Sequence, residues 1–191
     1  MVDKKAEEIS SEKININIKT RDIFIYDDIN TEASQKIVST LIQFSREDQT
    51  IILQDLNPEL KPINIFINSP GGSVYCGLGI IDAMNSMDCD IHTHITGIAA
   101  SMAGFIFMNG DYRHMQENGT IHYHNIHSGV YGTQYDLKVD IVEFKRLQKL
   151  LDVVYLKNSN LTKQQLDTWK ESKTEVYISY AQAKRYKMLR E

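Results

Sequence analysis

The sequence predicts an α/β protein built around a parallel β-sheet. Strand and helix patterns alternate along the chain, and strands that alternate with helices form parallel sheets through right-handed crossovers. The clearest strand is Ile63–Asn68, in which isoleucine occupies every second position, and Ser69–Gly72 ends it with a Pro-Gly-Gly turn. With 191 residues, 42% of them hydrophobic, the chain is long enough to bury one core.

Four elements are predicted before this strand. Met1–Lys13 is rich in Lys, Glu and Ser and is expected to be a flexible arm. Asp22–Tyr26 is a short apolar strand. Asn30 can cap a helix whose apolar residues share one face, namely Ala33, Ile37, Val38, Leu41 and Ile42. Ser45–Leu60 is polar and ends near two prolines, which predicts a loop.

After the Pro-Gly-Gly turn, the alternation of helices and strands continues. Ser73–Asn85 has the pattern of a helix, and Asp90–Thr96 has that of a strand that ends at Gly97. Ala99–Met108 is apolar throughout and predicts a second, buried helix. Thr120–Tyr123 is expected to add a further strand to the sheet.

The last third of the chain is predicted to be mainly helical. Asp136–Leu156 is the longest helix, and its apolar stripe consists of Leu137, Ile141, Phe144, Leu147, Leu151 and Val154. Capping-box spacings begin two shorter helices, one at Thr162 that runs to about Lys170 and one at Ser179. No domain boundary is evident, so residues 14–191 are expected to form a single domain after the arm.

Composition excludes several functional classes. The net charge of −4 lacks the basic footprint of a nucleic-acid-binding protein. Cys76 and Cys89 form neither a disulfide framework nor a zinc-binding spacing, so a cytoplasmic, reducing compartment is expected. No apolar run approaches the roughly 18 residues of a membrane span, and the charged N-terminus does not resemble a secretory signal.

Two strand-to-helix turns carry candidate catalytic groups. Asn68–Val74 contains two glycines that allow a bare backbone N–H to face an anion or oxyanion, although a plain βα turn also explains them. Gly97–Gly104 places Ser101 just beyond a strand end among small residues. The N–H of Met102 can then stabilise negative charge beside the serine hydroxyl, whereas a lone serine is more often a packing residue.

A serine nucleophile needs a base, and histidine is the usual one. The candidates are His114, His122, His124 and His127, with His92 and His94 on an earlier strand. His122 and His124 share one strand face, so their spacing does not choose between them. No HExxH pattern indicates a metal site. An acid that orients the base would come from Asp167, Glu171 or Glu175.

Together, Ile67–Val74 (INSPGGSV) and Gly97–Gly104 (GIAASMAG) resemble the paired motifs of the proteolytic subunit of the Clp ATP-dependent protease, a serine peptidase family. A weaker likeness runs from about Thr20 to about Tyr186. The resemblance implies a ClpP/crotonase-like fold of repeated βαβ units. It also makes Asp136–Leu156 the protruding handle helix between rings and the N-terminal arm the axial-pore segment.

The same resemblance assigns roles to individual residues. Ser101 takes the position of the nucleophile, His124 that of the base and Glu175 that of the acid. Gly72 and Met102 take the positions of the two oxyanion-hole N–H donors. No metal or cofactor is implied for this chain.

The assignment of His124 rather than His122 depends on the downstream register, counted back from Gly129, Gly132 and Asp136. Three departures from the family pattern stand nearby. Glu175 replaces an aspartate, Ile126 replaces a proline, and Lys187–Arg190 replaces a Gly-Leu-Val-Asp-like ending. They indicate a divergent member.

The resemblance also implies partners. Family members form stacked heptameric rings around a chamber, so a homo-oligomer or a hetero-ring with a paralogue is expected. Unfolding of protein substrates requires a separate AAA+ ATPase unfoldase, because this sequence has no GxxxxGK[ST] loop. Two alternatives to an active serine endopeptidase are a weak or inactive ring subunit and a crotonase-type acyl-CoA enzyme.

Overall fold

The isoleucine-rich strands of the period-two pattern form the centre of a sheet. The computed structural model describes residues 14–127, 132–171 and 175–190, so the predicted arm Met1–Lys13 and Gly129 lie outside the described residues. The strands are β1 (Ile14–Asn17), β2 (Asp22–Ile25), β3 (Ile63–Ser69), β4 (Ile91–Ala100), β5 (Tyr112–Met115), β6 (Thr120–Tyr123) and β7 (Val176–Ser179). The helices are α1 (Thr31–Gln54), α2 (Val74–Asn85), α3 (Met102–Met108), α4 (Gln134–Lys157), α5 (Lys163–Glu171) and α6 (Tyr180–Arg185).

These seven strands form one mixed sheet. Its order is β1-β2-β3-β4-β6-β7, with β5 paired to β4. The pairs β2–β3, β3–β4, β4–β5 and β4–β6 are parallel, which confirms the predicted α/β class. The edge strands β1 and β7 pair antiparallel with their neighbours. Both edge strands are only four residues long, so they gave little periodic signal.

The core lies on one face of the sheet. Inward-facing isoleucines such as Ile23, Ile65 and Ile95 are fully buried. They belong to one hydrophobic cluster with Phe44 of α1 and Ile106 of α3. Alternate strand residues face the other side, which is the consequence of the two-residue period.

The strand β4 is longer than predicted. It continues through Gly97 to Ala100, and α3 begins at Met102, so the predicted helix start at Ala99 is wrong. Gly97 does not end the strand. A Cβ there would meet the Asn68 side chain, whose Oδ1 accepts a hydrogen bond from the N–H of Ile98 at 3.1 Å. The extension matters because residues 98–100 of β4 pair with β6.

The loop predicted for Ser45–Leu60 is also wrong over its first part. The helix α1 continues to Gln54, because the polar pattern there is a solvated helix face around one buried carboxylate. Asp48 is fully buried and accepts hydrogen bonds from Arg21 at 2.6 and 2.8 Å. A buried, paired acid is rare, so the sequence pattern alone favoured a loop.

The long helix and the two short helices agree with their predicted positions. Within α4 the buried residues are Leu147, Leu151 and Tyr155, all in its second half. Side chains in its first half, such as Ile141, remain exposed. The capping boxes at Thr162 and Ser179 are formed. Among the described helices, none is both long and apolar enough to cross a membrane.

Candidate active site

The turn between β3 and α2 is built so that only glycine fits at two positions. Gly71 and Gly72 have φ angles of 97° and 150°. A Cβ on Gly71 would lie 2.6 Å from the carbonyl oxygen of Ala100 and 2.7 Å from Cβ of Ser101. A Cβ on Gly72 would lie 2.7 Å from the backbone nitrogen of Ile29. Gly71 therefore lets this turn pack directly against the end of β4, and Gly72 lets it pack against the backbone of Ile29.

Backbone hydrogen bonds fix the direction of the Gly72 amide. Ile29 donates its N–H to the carbonyl oxygen of Gly71 at 2.7 Å, and Ser73 donates to the carbonyl oxygen of Ile29 at 2.8 Å. Successive amides along an extended chain point to opposite sides. The N–H of Gly72 therefore points away from Ile29. It is a candidate donor to a group bound in front of the turn.

Ser101 occupies a strained junction between β4 and α3. Its φ of 50° and ψ of −125° lie in a region that residues with a side chain rarely adopt. Its N–H donates to the carbonyl oxygen of His122 at 2.8 Å, which ties the junction to β6. The hydroxyl makes no capping hydrogen bond to α3. Such strain clusters at functional sites, and here it presents a half-buried hydroxyl at a sharp turn.

Four of the five predicted site residues line one pocket. Its volume is about 210 Å³. The lining residues are Pro70, Gly72, Val74, Ser101, Met102, Phe105, His124, Asn125, Ile126, His127 and Leu151. The pocket thus brings together the two glycine- and serine-bearing turns, the segment after β6 and one residue of α4. His127, one of the candidate bases, also lines this pocket. Asn125 and Leu151 were not predicted as site residues, because no local pattern marks them as pocket residues.

His124 lies just past the end of β6. Its Nδ1 is 2.6 Å from the carbonyl oxygen of Asn125, and its ring stacks on that of His127 with centroids 4.4 Å apart. A carbonyl oxygen only accepts hydrogen bonds, so this contact places a proton on Nδ1. The Nε2 atom of the neutral ring then carries the lone pair that a general base needs.

Glu175 lies beside the other histidine of the segment. Its Oε2 is 3.5 Å from Nε2 of His122 and accepts a hydrogen bond from the Tyr177 hydroxyl at 3.1 Å. The imidazole of His122 stacks on the Tyr177 ring, with centroids 4.3 Å apart and planes 3° apart. The structure therefore pairs the predicted acid with His122. The role of Glu175 as the acid of His124 stays a prediction.

Apart from His127, the remaining candidate histidines and acids lie outside the pocket. His94 stacks on Phe66 on the face of the sheet opposite the core, and burial together with the nearby His114 lowers the pKa of His94. Asp167 forms an ion pair with Lys170 at 2.8 Å. Within the described parts of the chain, no group of three or more His, Cys, Asp or Glu side chains is arranged to hold a metal ion.

Comparison with known proteins shows that the chain as a whole is similar to members of one family. The Clp protease family model matches residues 5–191. The ATP-dependent Clp protease proteolytic subunit 2 of Corynebacterium efficiens is 29% identical over 171 residues, which cover 88% of this chain and 80% of the relative. Subunit 1 of Prochlorococcus marinus subsp. pastoris is 32% identical, covering 90% and 83%. The proteolytic subunit of Bacteroides fragilis is 33% identical, covering 75% and 69%.

Proposed function

The chain belongs to the Clp protease family, and from this premise we propose that it is a serine endopeptidase with Ser101 as its nucleophile. The observation that carries the proposal is the strained backbone of Ser101 in a pocket that it shares with His124. A serine on such a turn, near an imidazole and two candidate N–H donors, is equipped for acyl transfer.

The proposed reaction proceeds in two stages. His124 removes the hydroxyl proton of Ser101 as the oxygen attacks a peptide carbonyl carbon, and the N–H groups of Gly72 and Met102 bind the resulting oxyanion. His124 then gives its proton to the leaving amine. In the second stage, His124 activates water to hydrolyse the acyl ester and release Ser101. Loss of one oxyanion donor typically costs about 10²–10³-fold in rate.

One part of the pocket wall is apolar. Pro70 and Val74 come from the glycine turn and the start of α2, Phe105 from α3, and Leu151 from α4. Apolar walls stabilise an apolar side chain of a bound peptide by removing it from water. We expect the enzyme to prefer small or medium-sized apolar residues next to the cleaved bond, since about 210 Å³ is available.

The proposal extends to an oligomeric chamber in the cytoplasm. In the first half of α4, apolar side chains such as Val139, Ile141 and Val142 are exposed, which is typical of a surface that contacts another protein. Stacked rings of this chain, or of this chain and a paralogue, would cover them. The Clp names of the relatives support a separate ATPase that delivers unfolded protein substrates.

The position of Glu175 favours one second candidate, a catalytically weak ring subunit. Its carboxylate contacts His122 instead of completing a triad with His124. Such a subunit would keep the fold and the partner surfaces while hydrolysing peptides slowly.

Labelling with a fluorophosphonate probe tests the two candidates on the intact oligomer. The active enzyme is expected to gain one probe at Ser101 and to hydrolyse small fluorogenic peptides, and Ser101→Ala should abolish both. Ser86→Ala is the matched control, because Ser86 is exposed at the end of α2. Absence of labelling at Ser101 in correctly assembled rings would favour the weak subunit.

A further inference from the structure

Glu175 contacts one of two neighbouring histidines. Its carboxylate contacts His122 on β6 and Tyr177 on β7, and the ring centroids of His122 and His124 are 5.3 Å apart. Glu175 is half-exposed, with 53% of its side chain accessible, so few packing contacts restrict its rotamers. A change of rotamer is therefore a small step for this side chain.

The register of β6 and β7 favours a second rotamer of Glu175, in which the carboxylate faces His124. The strands β6 and β7 are antiparallel, and the last paired residues are Tyr123 and Val176. One residue further on each chain are His124 and Glu175. Side chains directly opposite each other in an antiparallel pair have their Cβ atoms about 4.5–5.5 Å apart. The backbone thus presents Glu175 to His124, while the side chain observed here turns towards His122.

We propose that His122 is a positioning residue that competes with His124 for the Glu175 carboxylate, so that protonation of His122 withdraws the acid from the base. The inference rests on the proposed serine peptidase function. When His122 is neutral, the carboxylate is free to move to His124 and to stabilise the imidazolium formed during attack. When His122 is charged, the ion pair between His122 and Glu175 holds the carboxylate in the position described here.

The surroundings of His122 set the direction of this competition. Burial lowers its pKa most strongly, the carboxylate of Glu175 opposes that effect, and the nearby His124 and His127 lower the pKa further. Tyr177 is the other titratable group against the ring, and the strand on its opposite side presents Ala100. In the described residues, Glu175 is thus the anion facing His122. The ring is neutral at neutral pH and becomes cationic under acidic conditions.

The consequence is a steeper loss of activity in acid. A histidine must be neutral to act as the base, so any enzyme of this kind loses kcat/KM in acid even without a second histidine. Protonation of His122 adds a second loss, because the acid leaves the base. This second loss cannot exceed the loss caused by neutralising Glu175 itself.

The test compares pH profiles of kcat/KM for a small peptide between about pH 5 and pH 8.5, each normalised to its own alkaline maximum. The assembled wild type, His122→Gln and Tyr177→Phe are measured, with His92→Gln as the histidine control, since His92 lies near the start of β4 with its ring against Tyr112. At the acid end, His122→Gln should retain about five- to tenfold more of its maximum than the wild type. Tyr177→Phe should shift in the same direction, since the hydroxyl that holds Glu175 is removed.

A second comparison isolates the route through the acid. In a Glu175→Gln background, His122→Gln should leave the normalised profile unchanged. Superimposable profiles for the wild type, His122→Gln and Tyr177→Phe would overturn the inference, and so would an effect of His122→Gln that persists without the carboxylate. If His122→Gln does not assemble, an unchanged profile of Tyr177→Phe overturns it, because that variant loses only an exposed hydroxyl. Failure of the proposed function is distinguished by a wild type without Ser101-dependent hydrolysis at any pH.

Discussion

Three residues with positive φ angles meet where the glycine turn touches the end of β4. Gly71 and Gly72 take angles that suit glycine, whereas Ser101 pays a conformational cost of about 1–3 kcal/mol for a similar one. The surrounding hydrogen bonds, from Ser101 to β6 and from Ile29 to the turn, hold this geometry in place. The strained backbone of Ser101 and the glycine turn pack against each other. A substitution in either turn should therefore alter the backbone geometry of the other.

The first prediction concerns Gly72→Ala. We expect it to lower kcat by at least about 10²-fold, because a Cβ at this position collides with the Ile29 backbone and displaces an oxyanion donor. Gly79→Ala is the matched control. Gly79 is exposed in α2, and its nearest atom to a new Cβ is Ser34 Oγ at 4.0 Å, so this variant should gain up to about 1 kcal/mol of stability. Steady-state kinetics and thermal unfolding measure the two effects, and equal activity of the two variants would contradict the prediction.

The second prediction separates the two neighbouring histidines. His124→Ala should lower kcat by about 10⁴-fold or more, because the serine loses its base. His122→Ala should cause a much smaller loss at alkaline pH, since His122 contacts Glu175 and not the pocket. Both variants are assayed as rings whose mass is confirmed. An equal or larger loss for His122→Ala would exchange the two roles.

The third prediction concerns the acid. Glu175→Gln should lower kcat about tenfold, since the proposed acid loses its charge while the Asn125 carbonyl stays on Nδ1 of His124. Glu171→Gln and Asp167→Asn should have smaller effects. Glu171 is exposed at the end of α5, and Asp167 is paired with Lys170. A larger loss of kcat in either of these two variants would assign the acid elsewhere.

At the scale of the elements, α1 shows why part of the fold escaped prediction. Periodic apolar residues predicted its first half, but the second half is fixed by Asp48, which a sequence pattern classifies as a surface residue. The partner of Asp48 is Arg21, 27 positions earlier in the turn before β2. Likewise, β4 continues past Gly97 because Asn68 and β6 pair with it. Local motifs therefore predicted the turns of the site, whereas contacts distant in sequence determined the ends of these elements.

The fourth prediction tests this buried ion pair. Asp48→Asn should destabilise the protein by about 3–5 kcal/mol, because the Arg21 guanidinium stays buried without its anion. Glu47→Gln, one position earlier on the exposed side of α1, should have little effect. Thermal unfolding at one protein concentration measures the difference, since assembly contributes to apparent stability. Similar unfolding temperatures for both variants would show that the pair does not hold α1 in place.

At the scale of the whole molecule, α4 joins the site to the surface proposed for assembly. Its second half contributes Leu151 to the pocket and buries Tyr155 against Phe105. Its first half carries exposed apolar residues but is anchored through Glu143, which accepts a hydrogen bond from Tyr75 of α2 at 2.7 Å. The sequence predicted one amphipathic helix. Only half of the apolar stripe of α4 is buried, because the rest of the domain covers only that part of the helix. No local sequence pattern encodes how far this cover extends.

The last prediction concerns the exposed half of α4. Val142 is 70% exposed, and Val142→Glu keeps a good helix former in place, so the monomer should fold normally. If this half packs against another ring, each charge is repeated at every subunit contact and must be buried without a partner. We therefore expect Val142→Glu to convert stacked rings into single rings or smaller species in native mass spectrometry. Val153→Glu is the matched control, because Val153 lies on the same helix and is 58% exposed, but in the half that packs on its own domain. Identical masses for the wild type and Val142→Glu would exclude this surface as the contact between rings.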